Sequence, residues 1–229
     1  MKISILIPVY NESKTIFDVL SLVNGLEIEK EIIIVDDSST DGTRELLRDN
    51  FGEENGNIRV FYHNTNKGKG AAIRTALSNA NGEFIIVQDA DMEYSPQDIK
   101  KLLKKAESSG KDAVYGSRFL STWKITSLPH YAVNKFLTIL TNVLFGGKLT
   151  DMETCYKLIR TDVIRELGLK SEKFDFEPEV TAKLLMKGVD IVEVPVSYRG
   201  RGYDEGKKIG WKDGVDAMFK IISLRIGKR

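Results

Sequence analysis

The first hundred residues alternate between short, unbroken apolar runs and stretches whose apolar positions recur with helical spacing. Ile3 to Val9, Glu31 to Val35, Ile58 to Tyr62 and Phe84 to Val87 are short and almost uniformly apolar, and glycines or polar clusters bound them, as expected of buried strands. Between the first two, Ile16, Val19, Leu20 and Val23 share one helical face, with Ser13 as a candidate cap and Gly25 as the stop. Leu46, Leu47 and Phe51 mark a second inward face, and Ile73, Ala76, Leu77 and Ala80 a third. The segment from Phe51 to Asn57 reads as a polar loop. Ser95-Pro96 reads as an N-cap and first-turn proline opening a further helix. This alternation predicts a mostly parallel, doubly wound α/β sheet.

The pattern is less regular beyond residue 95. Ala113 to Tyr115 reads as a short strand. Pro129 to Gly146 is a strongly apolar helix, Asp162 to Leu167 a short one, and Pro178 to Lys187 another that Gly188 ends. Val189 to Val194 is a strand whose pairing Pro195 limits. Trp211, Val215, Met218, Phe219, Ile222 and Ile226 form a last amphipathic stripe, with Lys212, Lys220, Arg225, Lys228 and Arg229 among the positions between and after them.

Composition narrows the picture. A chain of 229 residues can bury one good core, so a single domain is expected. It carries 34 basic and 33 acidic side chains, so no overall field favours nucleic acid. The one cysteine, Cys155, rules out an intrachain disulfide framework and reads as a buried, inert thiol. No signal peptide pattern opens the chain, and no apolar run approaches the ~18–20 residues that span a bilayer. A cytoplasmic protein is expected. Packing of the last stripe against the core is its simplest reading; peripheral contact with the inner face of a membrane is the alternative.

The chemistry concentrates where strands end. Asp89 and Asp91, followed by Glu93, close the Phe84 strand, at the sheet edge where open α/β folds bind ligands. Taken alone, an Asp-x-Asp is a pair of turn residues. Placed together at a strand end, such carboxylates suit a hard cation, Mg²⁺ or Mn²⁺, held by one or two carboxylates plus substrate phosphates. Glu12 and the pair Asp36-Asp37 end two other strands. Asp37 is the candidate for a nucleoside base, with Pro8 and Tyr10 packing around it; the plainer reading of Asp36-Asp37 is a capped turn. Lys67 and Lys69 stand where a helix begins, which the helix dipole disfavours unless they point away or an anion is near. Gly68 and Gly70 let backbone lie close to a neighbour. The first strand turn lacks G-x-G-x-x-G, the Gly68 turn lacks its third glycine, and Gly-Lys-Ser/Thr is missing, so dinucleotide and P-loop folds are poor fits.

Together, Ile7-Pro-Val-Tyr-Asn-Glu12, Val35-Asp-Asp-Ser-Ser-Thr-Asp-Gly42, Asn66-Lys-Gly-Lys-Gly70 and Asp89-Ala-Asp91 resemble the family-2 glycosyltransferases of GT-A fold. Gly116-Ser-Arg-Phe119, Asp151 to Lys157, Phe176-Glu-Pro-Glu179, Glu193-Val-Pro195 and Tyr198-Arg-Gly-Arg201 look most like the dolichyl-phosphate mannose or glucose synthase branch. The resemblance covers nearly the whole chain. It implies an α/β GT-A fold with a mixed, mostly parallel sheet flanked by helices, residues 1–95 binding the nucleotide sugar and 96–229 the acceptor. It implies inverting transfer of a hexose from a nucleotide-diphosphate sugar, GDP-mannose or UDP-glucose in type, to a polyprenyl phosphate. Pro8, Tyr10, Glu12 and Asp37 would hold the nucleoside, with Lys67, Gly70, Gln88 and Ala90 in the same site. Asp89 would face the sugar and ribose, and Asp91 the metal, with Asp89 and Glu93 as further metal candidates. Glu93 stands where the family often has Gln. Arg118 and Arg201 match arginines that hold phosphates. A further family arginine before the apolar helix is not matched; Lys124 and His130 are the basic groups there.

A phosphate acceptor has a second pKa near ~6, so it needs arginines and no general base. Arg118, Arg199 and Arg201, with Lys207 and Lys208, would supply them. A saccharide or other hydroxyl acceptor would need a carboxylate base, with Asp151, Glu153, Glu177 and Glu179 available and Asp151 the first choice. Glu177 and Glu179 otherwise read as solvated first-turn residues. A catalytically silent nucleotide-sugar scaffold is the non-enzymatic alternative, and nucleotidyl transfer a weaker rival. His63 and His130 show no metal-ligand spacing and read as structural.

Overall fold

The computed structural model describes residues 2–52, 54–121, 128–201 and 210–227. Four buried strands make the centre of the sheet: β1 (Ile3–Val9), β2 (Lys30–Asp36), β4 (Ile58–Tyr62) and β5 (Phe84–Val87). They lie parallel in the order β4-β2-β1-β5, with Leu6 opposite both Ile33 and Val87. Their runs of isoleucine and valine are apolar on both faces because helices cover both faces. The helices α1 (Ile16–Asn24), α2 (Thr43–Phe51) and α3 (Lys69–Ser78) connect the strands, so the sequence pattern holds here nearly to the residue.

Three local readings change. Ser13 is not the cap of α1: Thr15 holds that position, and the Ser13 N–H donates to Asp41 Oδ2 at 3.1 Å. Ser95 caps through its backbone alone, its carbonyl accepting from Asp98 N at 3.0 Å, while Pro96 opens a 3-10 turn (Pro96–Asp98) ahead of α4 (Ile99–Ser109). The polar loop after Phe51 contains a two-residue strand, β3 (Glu54–Asn55), antiparallel to β4.

The second half extends the same sheet. β6 (Ala113–Ser117) and β8 (Ile191–Pro195) pair in parallel, and β7 (Lys157–Arg160) is inserted antiparallel between β5 and β6. The order is β3-β4-β2-β1-β5-β7-β6-β8, with β8 and its Pro195 at an edge. α5 (Leu128–Phe145), α6 (Thr161–Arg165), α7 (Phe176–Met186) and α8 (Trp211–Ile226) complete the fold. α8 packs on both α5 and α7 and buries Ala217 and Ile221, which lie beside the stripe read from sequence; of that stripe Met218 packs partly against the core, while Val215, Phe219 and Ile226 are exposed. α5 is different: Leu128, Val133, Phe136, Ile139 and Val143 recur along one face and are all exposed. Among the described residues no helix is long and apolar enough to cross a membrane.

Candidate active site

The carboxyl ends of β1, β2 and β5 lie side by side because the strands are parallel and in register. Their turns open onto a cavity of about 710 Å³, whose opposite wall comes from the second half of the chain. Pro8, Tyr10, Glu12, Asp37 and Lys67 line it on the nucleotide side. Asp89, Ala90, Asp91 and Glu93 form its floor, and Arg118 and Arg201 reach it from the second half of the chain. The residues singled out in sequence therefore converge, with exceptions given below.

A hydrogen-bonded lattice fixes the turns after β1 and β2. Asn11 N donates to Ser39 Oγ at 2.9 Å and Asn11 Oδ1 accepts from Thr40 N at 2.8 Å. Glu12 N donates to Thr43 Oγ1 at 3.0 Å, and that hydroxyl donates to Asp41 Oδ1 at 2.5 Å. Asp36 is structural: it is fully buried and accepts from Arg44 Nε at 2.6 Å. Asp37 faces the cavity but is well tethered, accepting from Lys67 N at 2.9 Å and Gly68 N at 2.7 Å and lying 2.7 Å from His63 Nδ1. The other nitrogen of His63 lies 2.9 Å from Thr75 Oγ1. His63 is structural, and what it structures is the candidate base reader.

Asp89 lies 2.7 Å from Lys69 Nζ, so the buried lysine turns inward toward a protein carboxylate. Burial alone would pull Lys69 down, but Asp89 more than offsets it and holds the ammonium well above its usual range. Asp91 carries the reverse shift. Burial first, then the neighbouring Asp89 and Glu93, push its carboxyl up to about 7, against the pull of Glu93 N–H and Arg201. Crowded carboxylates of this kind are relieved by a cation, and hard oxygen donors suit Mg²⁺ or Mn²⁺. Glu93 does not join them. Its two oxygens accept from Arg201 N at 2.7 Å and Tyr198 OH at 2.8 Å, and Arg199 N donates to its carbonyl. Glu93 therefore ties the 198–201 strap to the floor, and is corrected from metal candidate to anchor. The described residues hold no cluster of three or more protein metal ligands; a cation here would need substrate phosphates beside Asp91 and Asp89.

Arg201 lies across that floor. Its guanidinium makes a two-pronged pair with Glu12, at 3.0 and 2.9 Å, and approaches Asp91 Oδ2 at 3.3 Å. Nε is buried with no partner among the described residues, which leaves a donor for a ligand oxygen.

On the wall from the second half of the chain, Arg118 is buried and gripped by Asp151. Nε donates to Oδ2 and Nη2 to Oδ1, both at 2.7 Å, and the Arg118 backbone N–H adds a third bond at 3.0 Å. Burial opposes the charge on Arg118, and Asp151 more than restores it. Asp151 is fully buried and outside the cavity wall; its own N–H donates to Glu193 Oε1 at 3.1 Å. The first-choice general base is therefore committed to holding an arginine and acts as a positioning residue.

Other expectations are relocated. Gln88 is buried behind the floor, its amide donating to the Asp89 carbonyl at 3.0 Å and its oxygen accepting from Tyr156 OH. Gly70 lies against residues 171–173, where a Cβ would meet Ser171 O at 2.6 Å, so its close neighbour is protein. Arg199 is exposed and outside the cavity wall. Lys124, Lys207, Lys208, Lys228 and Arg229 lie outside the described residues. Glu177 and Glu179 are buried, not solvated: Glu177 pairs with Lys157 at 2.5 Å, and Glu179 with Lys183 at 2.7 Å. Cys155 is buried, and burial pushes its thiol up, as expected of an inert group.

A mixed sheet with carboxylates at the ends of its parallel strands, facing an arginine-bearing second half, is the GT-A glycosyltransferase fold. Glucosyl-3-phosphoglycerate synthase of Mycobacterium tuberculosis, solved with Mn²⁺, UDP and phosphoglyceric acid, superposes with a TM-score of 0.73 over 98% of this chain and 78% of its own, at 18% identity. The chain belongs to glycosyl transferase family 2, whose model matches residues 4–168. Among curated relatives, the undecaprenyl-phosphate mannosyltransferase of Micrococcus luteus is 27% identical, covering 92% of this chain and 88% of its own. The dolichol-phosphate mannosyltransferase of Pyrococcus furiosus is 28% identical, covering 98% of this chain and 69% of its own.

Proposed function

We propose that this protein transfers a hexose, with inversion, from a nucleoside-diphosphate sugar of GDP-mannose or UDP-glucose type to a polyprenyl phosphate. The observation that carries the reading is the Arg118–Asp151 pair. It spends the obvious base and fixes a guanidinium at the acceptor wall, the arrangement a phosphate acceptor needs and a hydroxyl acceptor does not. The names of the two mannosyltransferase relatives support the same acceptor class. So does the apolar face of α5, which would let the domain rest on the lipid surface where such an acceptor sits.

In this reading Asp37, oriented by His63, meets the nucleoside base, with Pro8 and Tyr10 beside it. Asp91 and Asp89 would hold Mg²⁺ or Mn²⁺; when bound, the cation neutralises charge developing on the leaving diphosphate. Lys69 orients Asp89 toward the sugar. Arg201 offers its free Nε–H to the diphosphate, and Arg118 grips the acceptor phosphate. Bound donor and acceptor would displace water from the cavity, leaving the acceptor oxygen as the nucleophile at C1.

The test is a two-part assay. Calorimetric titration of UDP- and GDP-sugars, with Mn²⁺ and then EDTA, should find one nucleotide class that binds with metal. That donor, supplied with a short-chain polyprenyl phosphate, should release nucleoside diphosphate in step with glycolipid. Transfer to saccharide hydroxyls in place of the lipid phosphate would refute the acceptor, and no donor binding in a folded sample would favour the scaffold alternative.

A further inference from the structure

Glu153 lies in the turn between Asp151 and β7, and the roles assigned so far leave it idle. It lines the cavity on the wall that also carries Arg118, His130 and Asn134. Its Oε1 is shut off from solvent and has no hydrogen-bond partner among the described residues. Buried polar atoms are nearly always paired, so an unpaired carboxyl oxygen on a side chain that lines a ligand cavity marks a place for a ligand atom. The surrounding charges are already engaged. Lys157 is held by Glu177 and by the Met152 and Thr154 carbonyls, Arg118 by Asp151, and Glu193 by the Thr150 and Asp151 amides. Burial is the main influence on Glu153 and pushes its carboxyl up to about 7; Lys157 and Arg118 pull it back, Glu177 and Asp151 push it further.

We propose that Glu153 is a direct ligand of the acceptor phosphate, donating its O–H to a phosphate oxygen that does not attack, while Arg118 grips the phosphate from its own side. The inference rests on the phosphate-acceptor reading. An ionised carboxylate would repel the incoming dianion. The dianion in turn raises the carboxyl further, because like charge disfavours ionisation, so binding and protonation reinforce one another. The proton stays on Glu153 throughout. A lone pair of the attacking phosphate oxygen forms the bond to C1, the bond from C1 to the β-phosphate oxygen breaks, and its electron pair leaves with the nucleoside diphosphate. The dianionic monoester becomes a monoanionic diester, and the leaving group takes up the charge. Glu153 thus distinguishes a phosphate monoester from a hydroxyl acceptor, which would need the ionised form as a base.

The test compares wild type, Glu153→Gln and Glu153→Ala on both sides of neutral pH, with short-chain polyprenyl phosphate as acceptor. Mn²⁺-dependent donor binding, a property of the other half of the site, first establishes that each variant is folded. Wild type should show an acceptor KM that climbs above neutrality, approaching tenfold per pH unit as the carboxyl ionises. Glu153→Gln keeps an N–H donor in place and should abolish that climb. Glu153→Ala should raise the acceptor KM by roughly tenfold or more at neutral pH, the worth of a hydrogen bond to a charged group, with a smaller effect on kcat. An acceptor KM for Glu153→Ala within about twofold of wild type overturns the proposal, since a lost hydrogen bond to a charged ligand costs more than that. Loss of kcat in Glu153→Gln at every pH also overturns it and marks a proton acceptor. Wild type that binds donor yet never glycosylates polyprenyl phosphate overturns the acceptor reading itself, and is told apart because it needs no variant. If Glu153→Ala does not fold, the pH profile of Glu153→Gln decides alone.

Discussion

Replacing Asp151 with asparagine exchanges one carboxylate oxygen for an NH₂ group and leaves the side-chain volume almost unaltered. The carboxylate accepts from Arg118 Nε and Nη2 at 2.7 Å and from Arg118 N at 3.0 Å. An amide can accept at one oxygen, and its NH₂ then faces a guanidinium that has nothing to accept with. Asp151 is fully buried and Arg118 nearly so, so the variant leaves a desolvated cation without its counter-charge. Breaking one side of a buried pair costs about 3–5 kcal/mol. For a chain of 229 residues that corresponds to a fall in Tm of roughly 6–20 °C. Thermal melts of Asp151→Asn, Arg118→Met and the double variant form a double-mutant cycle, and the double variant should be less destabilised than the sum of the singles. Donor binding by calorimetry should survive in whatever remains folded, because the donor carboxylates lie on other strands. A variant that melts within a degree or two of wild type yet has lost turnover would refute the argument, since it would make Asp151 a chemical base and not a holder of Arg118.

Other consequences can be checked independently. Asp91→Asn should abolish Mn²⁺-dependent donor binding by calorimetry while leaving the fold intact by circular dichroism; undiminished binding would remove Asp91 from the donor set. Phe136→Glu with Ile139→Glu, on the exposed face of α5, should reduce sedimentation with anionic lipid vesicles without lowering Tm; a lowered Tm with unchanged sedimentation would mean that face packs against protein. Glu153 is raised in the fold to about 7, from an unfolded value near ~4.3, so the fold binds its proton more tightly than the unfolded chain does. Its contribution is present at low pH and is lost as pH rises from about 4 through about 7, on the order of 3–4 kcal/mol in all. Glu153→Gln should flatten that part of the pH–stability curve, and denaturant titrations at pH values spanning the window would show it.

The strands β1, β2 and β5 were legible because each is an apolar run buried on both faces, and β4 because buried Ile58 and Val60 alternate with part-buried positions; a sequence window sees both patterns directly. β7 was not, because it is four residues long and begins and ends in charge, Lys157 and Arg160. Burial of Lys157 depends on Glu177 and on carbonyls that only the assembled fold brings near. The same physics divides the site. Asp89 and Asp91 could be placed at the cavity because the strand they follow is legible and open α/β sheets bind ligands at that edge. The use of Asp151 is to hold Arg118, and that of Glu93 is to hold Tyr198 and the Arg201 backbone. Both depend on partners remote in sequence, and single-residue chemistry cannot rank them against catalysis. The glycines at 68 and 70 were read correctly as points of close approach, but which surface approaches is set by the 171–173 turn. Glu153 offered no signal beyond being one of four available acids; an oxygen without a partner exists only in three dimensions.

The pair between Glu12 and Arg201 spans 189 residues of chain. Its two ends are delivered by the first strand and by the strap beyond the last, so it cannot form until the whole sheet from β1 to β8 has assembled. The central strands are held by burial on both faces, whereas the strap is held by Glu93, by Glu12 and by the isolated bridge between Tyr94 and Tyr198. Lifting the strap would break these few contacts and leave every strand of the sheet in place, so the Arg199 and Arg201 amides are expected to exchange with solvent faster than those of β1 and β5.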